Sequence, residues 1–279
     1  MKTILLKIAL VLFLAVLAFV TIFIFGVYCF GWNGKATRTF VSIVPLPVAT
    51  VNGRVISFAD YWDLQEIGSN FLAATLENEQ ETKNRLVAHL VDNRITSDIL
   101  KKRSQSPAFR LEDYEIHLGR KFGNQAELSD RAFRKLIVLP DWNEISLRIW
   151  WYDQDTGSQS YDLASLVVAH LGQGGQFENL ASIYSDDLET KYIGGDMGFV
   201  TAEELPPWFS EAIMKLSLGQ TSGILSGPDG YYILKLAAIN ETEGVKKMRI
   251  KQIYIKSETF EEFFKTEKQK YRVLIFKNL

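Results

Sequence analysis

Hydrophobic and polar positions divide the sequence into one long apolar segment near the N-terminus and a remainder of shorter periodic segments. From Ile8 to Trp32 no residue is charged, and a helix of that length exceeds the ~30 Å hydrocarbon thickness of a bilayer. Between Thr82 and Arg103 apolar residues recur at helical spacing, and basic residues close the segment, as they do at helix C-termini. The pattern therefore predicts one membrane span and, beyond it, a long helix.

Turn and capping signals predict the elements that lie between the span and residue 144. The segment from Asn33 to Ala49 lacks helical periodicity and contains prolines, so we expect a linker there. Asn52-Gly53 predicts a tight turn between two short apolar pieces. Ser57 with Asp60 is a capping box that predicts the start of a helix. Two shorter helices are predicted at Leu111–Phe122 and Gln125–Ile137. Asn124 with Glu127 is the capping pair of the helix at Gln125–Ile137, and Pro140 is expected to end that helix.

The second half of the chain alternates between strand and helix patterns. Leu147–Asp153 is β-prone and is expected to form the first strand of a sheet. Ser160 is expected to cap the next helix, and a second helix is expected from Phe177. The remaining predictions are a strand after Gly230, a strand over Met248–Lys256, a helix over Glu258–Tyr271 and a strand over Arg272–Phe276.

Composition limits the class of protein. With 47% hydrophobic and 13% aromatic residues, the chain can bury a core. The net charge of −2 provides no basic field, so nucleic acid is discounted as a partner. Cys29 is the single cysteine, which forbids an intramolecular disulfide and leaves the redox compartment open.

The apolar segment fits an uncleaved anchor better than a cleaved signal peptide. A signal peptide has a shorter apolar core and a small-x-small cleavage site. This segment instead ends with Tyr28 and Trp32, whose side chains suit a membrane interface. Basic residues on its two sides are nearly balanced, so charge alone leaves the orientation open.

The most specific pattern lies between Tyr184 and Leu236. It consists of Gly194 and Gly195, a further Gly198, an amphipathic helix that ends near Gly219 and an alternating strand after Gly230. In order and spacing this segment resembles the parvulin family of prolyl isomerases. VNGRVISFADYW and the helix order give residues 51–141 a weaker likeness to the helical chaperone segment of extracytoplasmic parvulin foldases. Membrane-tethered members usually work outside the cytoplasm, so the bulk of the chain is expected there.

The resemblance implies an α+β fold: a parvulin-like antiparallel sheet with surrounding helices, preceded by a mainly helical chaperone-like domain and one N-terminal transmembrane helix. The expected parts are a transmembrane anchor at 1–32, a linker at 33–49, a helical domain at 50–144, an isomerase domain at 145–240 and a strand–helix–strand extension at 241–279. Because Met248–Lys256 looks like an opening parvulin strand, the extension is either an incomplete second copy or a segment that packs on the first. Packing is favoured, since too few residues remain for a whole domain.

Prolyl isomerisation needs no nucleophile, metal or cofactor, because its ~18–20 kcal/mol barrier is amide resonance and catalysis means favouring the twisted amide. The resemblance places Asp187, which follows Ser185-Asp186, beside the substrate amide, and it assigns the proline cup to Met197, Leu205 and Phe209. Burial near apolar groups would raise the pKa of that aspartate. The alternatives are a loop carboxylate for the aspartate and ordinary core packing for the three apolar residues.

Family members commonly carry one histidine on the first strand and another on the last, joined in a network beneath the amide. At those positions this chain has Trp151 and Tyr232, which are the remaining catalytic candidates. Tryptophan cannot accept a hydrogen bond, whereas tyrosine can donate and accept one, so the network is altered. His89, His117 and His170 lie elsewhere, and we expect neither a metal site nor a cofactor.

The sequence therefore predicts a single-pass, membrane-anchored peptidyl-prolyl cis-trans isomerase-like foldase that assists extracytoplasmic proteins, with turnover reduced by the loss of the histidine pair. Its partners would be unfolded or extended proline-containing polypeptides, together with membrane lipid around the N-terminal helix. The loop DQDTGSQSYD has no Lys or Arg, so phosphate-directed specificity is not expected. The alternative is a non-catalytic holdase or membrane-protein assembly module on the same fold.

Overall fold

The computed structural model describes residues 2–72, 79–103, 109–122, 130–242 and 244–276. The chain divides into two compact units, one of Met1–Arg94 with Tyr271–Leu279 and one of Ile95–Lys270. The fold is α+β, as expected, with many helices and antiparallel sheets. The capping pair predicted at Asn124 and Glu127 lies outside the described residues. The expected domain boundaries stay a prediction. Two of the elements used to draw them, the linker at 33–49 and the strand at Leu147–Asp153, contain helix in the structure.

The first unit combines the apolar helix with a small sheet. Its elements include α1 Lys2–Phe30, α2 Lys35–Ile43, β1 Pro47–Val51, β2 Arg54–Ser57, α3 Phe58–Leu72 and β7 Val273–Ile275. The sheet has the order β2-β1-β7, and both pairings are antiparallel. The predicted turn is confirmed, since Asn52 and Gly53 both have the positive φ of a two-residue hairpin loop. The predicted cap also forms, with Ser57 Oγ accepting from the Asp60 amide at 3.2 Å.

α1 is long and apolar enough to cross a membrane over Leu6–Phe30. Its length and composition fit a membrane anchor and also fit a signal sequence. The end of the helix is tied to the hairpin, because the Tyr28 hydroxyl donates to the Pro47 carbonyl at 2.5 Å and the Tyr28 ring meets Phe58 edge-on at 5.4 Å. Tyr28 thus contacts protein as well as terminating the apolar segment.

Residues 33–49 are not the irregular linker that the sequence predicted. α2 occupies much of this stretch and buries Thr37, Phe40 and Val41. Their i, i+3, i+4 spacing defines one helix face, although the segment is too short to show clear periodicity. The prolines lie beyond the helix, so they limit its length without preventing it.

The second unit has helices before, between and after the strands of its sheet. The helices are α4 Glu79–Arg103, which begins in the first unit, then α5 Leu111–Phe122, α6 Arg131–Phe133, α7 Leu139–Gln154, α8 Gln159–Gly172, α9 Phe177–Tyr184, α10 Pro207–Met214 and α11 Thr259–Lys268. α4, α5 and α9 confirm the helices predicted there. Ser158, rather than Ser160, caps α8, since its Oγ accepts from the Tyr161 amide at 3.3 Å.

Pro140 does not end a helix as the sequence predicted. Arg134–Val138 forms a π-helical turn between α6 and α7, in which the Leu139 amide donates to the Arg134 carbonyl. This wider turn changes the hydrogen-bond pattern just before the proline, which then occupies the first turn of α7, where a missing N–H is tolerated. The helical path therefore continues through the proline.

A four-stranded antiparallel sheet forms the centre of the second unit. Its strands are β3 Asp196–Val200, β4 Leu225–Ser226, β5 Gly230–Thr242 and β6 Val245–Lys256, in the order β3-β6-β5-β4. One face buries Tyr231, Ile233, Ile253 and Ile255, and Tyr161 of α8 meets the Tyr231 ring there at 5.4 Å. The opposite face carries the candidate site.

The strand predicted over Leu147–Asp153 is part of α7. Leu147, Ile149 and Tyr152 are buried along that helix, so packing overrides the strand propensity of the segment. The long neighbour of β5 is β6, paired from Gly230 opposite Lys256 onwards. The extension therefore neither starts a second copy nor packs on a finished domain, because it supplies an interior strand. The predicted order of strand, helix and strand over β6, α11 and β7 is confirmed.

Candidate active site

An apolar cluster covers the sheet face that packs against α10. Its buried members are Leu205, Phe209, Ile213, Leu234, Leu236, Met248 and Ile250, with half-buried Met197, Trp208 and Tyr232 packed against them. These residues come from β3, β5, β6, α10 and the connection before α10. Side chains far apart in sequence therefore form one surface, which is called the apolar cluster below.

The structure brings together the three residues assigned to the proline cup. Met197, Leu205 and Phe209 all lie in the apolar cluster. Leu205 and Phe209 are only 5% and 3% exposed, whereas Met197 is half-buried. The first two therefore also serve the core, whereas Met197, Trp208 and Tyr232 are among the half-buried residues that give the cluster its accessible surface. The cup itself stays a prediction.

Asp187 lies in the connection between α9 and β3, and its charge acts on Tyr232 of the apolar cluster. Its Oδ2 accepts hydrogen bonds from Gln252 Nε2 at 2.7 Å and from the Thr190 hydroxyl. Its Oδ1 accepts from the Glu189 amide at 3.1 Å. Gln252 is the cross-strand partner of Leu234, a member of the cluster. The carboxylate is thus held in one orientation from two sides.

The connection that carries this carboxylate is fixed to β6 by the Ser-Asp pair before it. The buried Ser185 Oγ accepts from the amides of Asp187 at 3.3 Å and Tyr254 at 3.1 Å. The Asp186 amide donates to the Tyr254 carbonyl at 2.7 Å, and the Asp186 side chain accepts from the Lys256 amide at 2.9 Å. The pair therefore positions Asp187 by binding the backbone of β6 through the two side chains and the Asp186 amide.

The pKa of Asp187 moves opposite to the sequence expectation. Burial by itself raises the pKa of this carboxyl, as expected. Hydrogen bonds from Thr190 and Gln252, with the amides of Glu189 and Thr190, outweigh that effect and bring the pKa below its usual range. Asp187 is therefore ionised at neutral pH, and the expectation of a raised pKa was wrong because it omitted these donors.

Tyr232 faces the same side of the sheet. Its hydroxyl donates to Asp229 Oδ1 at 2.8 Å, its ring stacks on Tyr254 at 4.8 Å, and Trp208 lies 5.2 Å away. Burial, followed by the charge and hydrogen bond of Asp229, raises the pKa of Tyr232 well above its usual value. Its hydroxyl is therefore neutral and acts as a donor, and its ring forms one wall of the apolar cluster.

Trp151 is not brought to this site. On α7, its ring stacks on Phe263 with centroids 4.1 Å apart, and its Nε1 donates to Thr259 Oγ1 at 3.2 Å. These contacts pack α7 against α11. The strand prediction on which the catalytic assignment of Trp151 rested is wrong, so Trp151 has no described contact with Tyr232.

Sequence reasoning missed Gln252. It lies on β6 within the segment Met248–Lys256, which resembled an opening parvulin strand, and that resemblance was the available signal. Because β6 pairs with β5, Gln252 lies on the same face as Tyr232, one side-chain step along the sheet. The site therefore does have a polar residue on a strand that pairs with β5, the strand of Tyr232. That residue is Gln252 rather than a histidine, and it comes from the C-terminal extension.

The glycines serve backbone geometry, as the sequence predicted. Gly194, Gly195 and Gly198 have φ values of 72°, 78° and 77°, a region that side chains disfavour. Asp196 fixes the same turn, since its Oδ1 accepts from the Gly198 amide at 2.9 Å.

A groove of about 950 Å³ lies on the other side of α10. Its walls come from α5, α7 and α10, and Ile116 and Met214 within it are 53% and 63% exposed. Leu205 lines the groove and also belongs to the apolar cluster, so the two surfaces adjoin. Its charged lining is mainly acidic, with Glu112, Asp113, Glu203 and Glu211 against Arg110 and Arg120.

Over the described ranges, no group of three or more His, Cys, Asp or Glu side chains is placed to hold a metal ion. His170, on α8, packs near the Tyr184 ring, with ring centroids 6.4 Å apart.

Comparison with known protein families gives a match to part of the second unit. Residues 147–238 match the rotamase family, described as a PPIC-type PPIASE domain. The match begins within α7 and ends before β6, so the strand that carries Gln252 lies outside it.

Individual relatives include foldases and chaperones. Foldase protein PrsA 1 of Bacillus cereus is 40% identical over 78 residues, which are 28% of this chain and 27% of that protein. Chaperone SurA of Hydrogenovibrio crunogenus is 26% identical over 154 residues, 55% of this chain and 29% of that one. The chain therefore spans little more than a quarter of either relative. A crystal structure of the peptidylprolyl isomerase PrsA from Bacillus anthracis matches 64% of this chain and 78% of its own, with 21% identity and a TM-score of 0.25.

Proposed function

We propose that this chain, whose residues 147–238 match a PPIC-type rotamase domain, is a membrane-anchored foldase that accelerates cis-trans isomerisation of X-Pro bonds in unfolded polypeptides. The observation that carries the proposal is the ionised Asp187 held beside an apolar cluster within the matched segment. Uncatalysed isomerisation takes tens to hundreds of seconds, so such an activity would serve folding.

The chemistry asked of the site is modest. A planar amide places partial negative charge on its oxygen through resonance, and the twisted amide has lost that resonance. A carboxylate near this oxygen disfavours the planar form relative to the twisted one, which is differential stabilisation of the transition state. In the proposal, Asp187 has this role, while Met197 and Tyr232 contact the proline ring.

The groove beside α10 extends this proposal to longer clients. We assign it to an extended segment of the same polypeptide, because the groove adjoins the apolar cluster at Leu205. Exposed Ile116 and Met214 offer contacts for apolar side chains, and the acidic excess of the lining favours flanking Lys or Arg. The chain then holds a client in the groove while the neighbouring site acts on a proline.

Placement at a membrane is part of the proposal. α1 supplies a span of sufficient length, and lipid would surround its exposed apolar side chains. PrsA and SurA relatives are named as a foldase and a chaperone. We therefore place the folded units outside the cytoplasm, where unfolded translocated chains would be their substrates.

A non-catalytic holdase is the second candidate. It is favoured by the burial of Leu205 and Phe209, which leaves little of the cup open, and by the absence of histidine from positions 232 and 252, which lie on adjoining strands of the sheet face that carries the site. This candidate keeps the groove and the client but has no turnover.

Exchange spectroscopy separates the two candidates. The full chain in detergent micelles is added to a short X-Pro peptide, and cis-trans exchange is measured by NMR with the wild type, Asp187→Asn and Met197→Ala. Asp153→Asn, an exposed aspartate on α7, is the matched control. Acceleration that both site variants lower about tenfold, and the control does not, supports the isomerase. Peptide line broadening without exchange acceleration supports the holdase.

A further inference from the structure

β6 reaches the candidate site from beyond the family match. The match ends at residue 238, whereas β6 spans Val245–Lys256 and lies between β3 and β5. We propose that Gln252 is a positioning residue whose side-chain amide holds the Asp187 carboxylate in one orientation and in its charged form. This inference rests on the proposed isomerase function and deepens it.

The geometry distinguishes Gln252 from the other donors to this carboxylate. Thr190 and Glu189 belong to the same connection as Asp187 and move with it. Gln252 belongs to the sheet, and its Nε2 lies 2.7 Å from Asp187 Oδ2. It therefore fixes the carboxylate relative to the apolar cluster, where the proline would bind.

The backbone of Gln252 is itself fixed to the same connection. Its amide donates to the Gly195 carbonyl at 2.8 Å, and the Gly195 amide donates to the Thr190 carbonyl at 2.8 Å. Backbone and side chain of Gln252 thus hold both ends of the segment from Asp187 to Gly195. A rotation of the amide side chain would cost the bond to the carboxylate without releasing the backbone.

A glutamine also makes this contact independent of pH, because its amide does not titrate. The charged or titratable groups around Asp187 are Asp186 and Lys191 in its own connection, Asp229, Tyr232 and Tyr254 from the sheet, and His170, which reaches the connection through Tyr184. Burial raises the pKa of Tyr232 and Tyr254, so both hydroxyls are neutral at neutral pH. His170 meets this connection through its ring contact with Tyr184.

The test combines activity with a pH profile. Exchange of a short X-Pro peptide is measured for the full chain in micelles between pH 3 and 9, with Gln252→Leu and Gln252→His. Gln159→Leu, at an exposed position of α8, is the matched control. We expect Gln252→Leu to lower kcat/KM about tenfold, the effect of losing one hydrogen bond to a charged group. Its acidic limb should move to higher pH, because the charged carboxylate has lost a donor.

Gln252→His should add a titration near neutral pH that the wild type lacks. Wild-type kcat/KM and an unmoved acidic limb in Gln252→Leu would overturn the inference. If the wild type shows no acceleration, the isomerase proposal fails. The inference about Gln252 is then tested alone by NMR titration of the Asp187 carboxyl. If this carboxyl titrates with the same midpoint in Gln252→Leu as in the wild type, the inference is refuted. If near-ultraviolet circular dichroism shows that Gln252→Leu is misfolded, Gln252→His gives the same decision.

Discussion

Gly195 and Gln252 approach so closely that a side chain on the glycine would overlap the carbonyl oxygen of the glutamine. The Gln252 amide donates to the Gly195 carbonyl at 2.8 Å, and Gly195 has a φ of +78°. The relationship ties the Gly pair of the matched segment to a strand from outside it. Because Gly195 has no side chain, β6 can lie close enough to its backbone for Gln252 to reach the candidate site.

Substitution of Gly195 tests this close approach. Gly195→Ala should lower the free energy of unfolding by roughly 3 kcal/mol, which combines the strain of a positive φ with overpacking. Gly198→Ala is a matched control, because Gly198 has nearly the same φ of +77° but open space around it. It should lose only about 1–2 kcal/mol. Urea unfolding followed by tryptophan fluorescence measures both, and equal losses would show that the approach to Gln252 is unimportant.

Truncation tests whether β6 completes the second unit. A fragment that ends at Asn240 retains the entire family match but loses the strand between β3 and β5. We expect it to lack the dispersed NMR amide spectrum of a folded sheet, since β3 would have no partner and the apolar cluster would lose Met248 and Ile250. A fragment that ends at Lys270 lacks β7 but keeps β6, so the NMR signals of the four-stranded sheet should persist. A folded, dispersed spectrum from the shorter fragment would contradict the arrangement.

The groove predicts a difference between long and short substrates. Ile116→Glu and Met214→Glu place a charge on exposed apolar positions of an already acidic lining. They should weaken binding of a long unfolded client about tenfold, measured by fluorescence anisotropy, and lower the ratio of its kcat/KM to that of a tetrapeptide. Ile183→Glu is the control, since Ile183 is 63% exposed on α9 and does not line the groove. If the ratio of the two kcat/KM values is the same in Ile116→Glu, Met214→Glu and Ile183→Glu, the groove does not bind the client.

Acid sensitivity should depend on Asp196. The hydrogen bond from Arg249 lowers the pKa of Asp196, assisted by the Gly198 amide and opposed by burial. A lowered folded-state pKa stabilises the protein above the unfolded value near 4, and this contribution is lost as pH falls through the folded value. Asp196→Asn should therefore cost about 0.5–1 kcal/mol at pH 7 and less at pH 2.

Urea unfolding at both pH values measures this difference. Glu258→Gln is the control, because the pKa of Glu258 is also lowered by an ion pair, with Lys256, but the pair is fully exposed. It should leave the unfolding midpoint unchanged at either pH. A cost of Asp196→Asn that persists undiminished at pH 2 would show that its charge is not the cause.

Local signals predicted much of the secondary structure and less of the site. Asn52-Gly53, the spacing of α4 and the alternation of β5 depend on neighbours in sequence, so the sequence predicted them. Leu147–Asp153 has strand propensity but buries its apolar side chains in α7, a contact with distant residues that propensity does not contain. Trp151 was placed incorrectly for the same reason.

By itself, the sequence determined the apolar N-terminal helix, the glycines at positive φ and the apolar types that form the cluster, because each depends on local conformation or on hydrophobicity. Tertiary structure decided which strand lies beside β5, and therefore that Gln252 rather than Trp151 lies next to the candidate site. It also contributed to the pKa of Asp187, since Gln252, from a strand 65 residues away, acts together with Thr190 and the amides of Asp187's own connection to offset the effect of burial. Strand pairing and hydrogen bonding between distant segments are set by the packing of the whole unit, which no local pattern specifies.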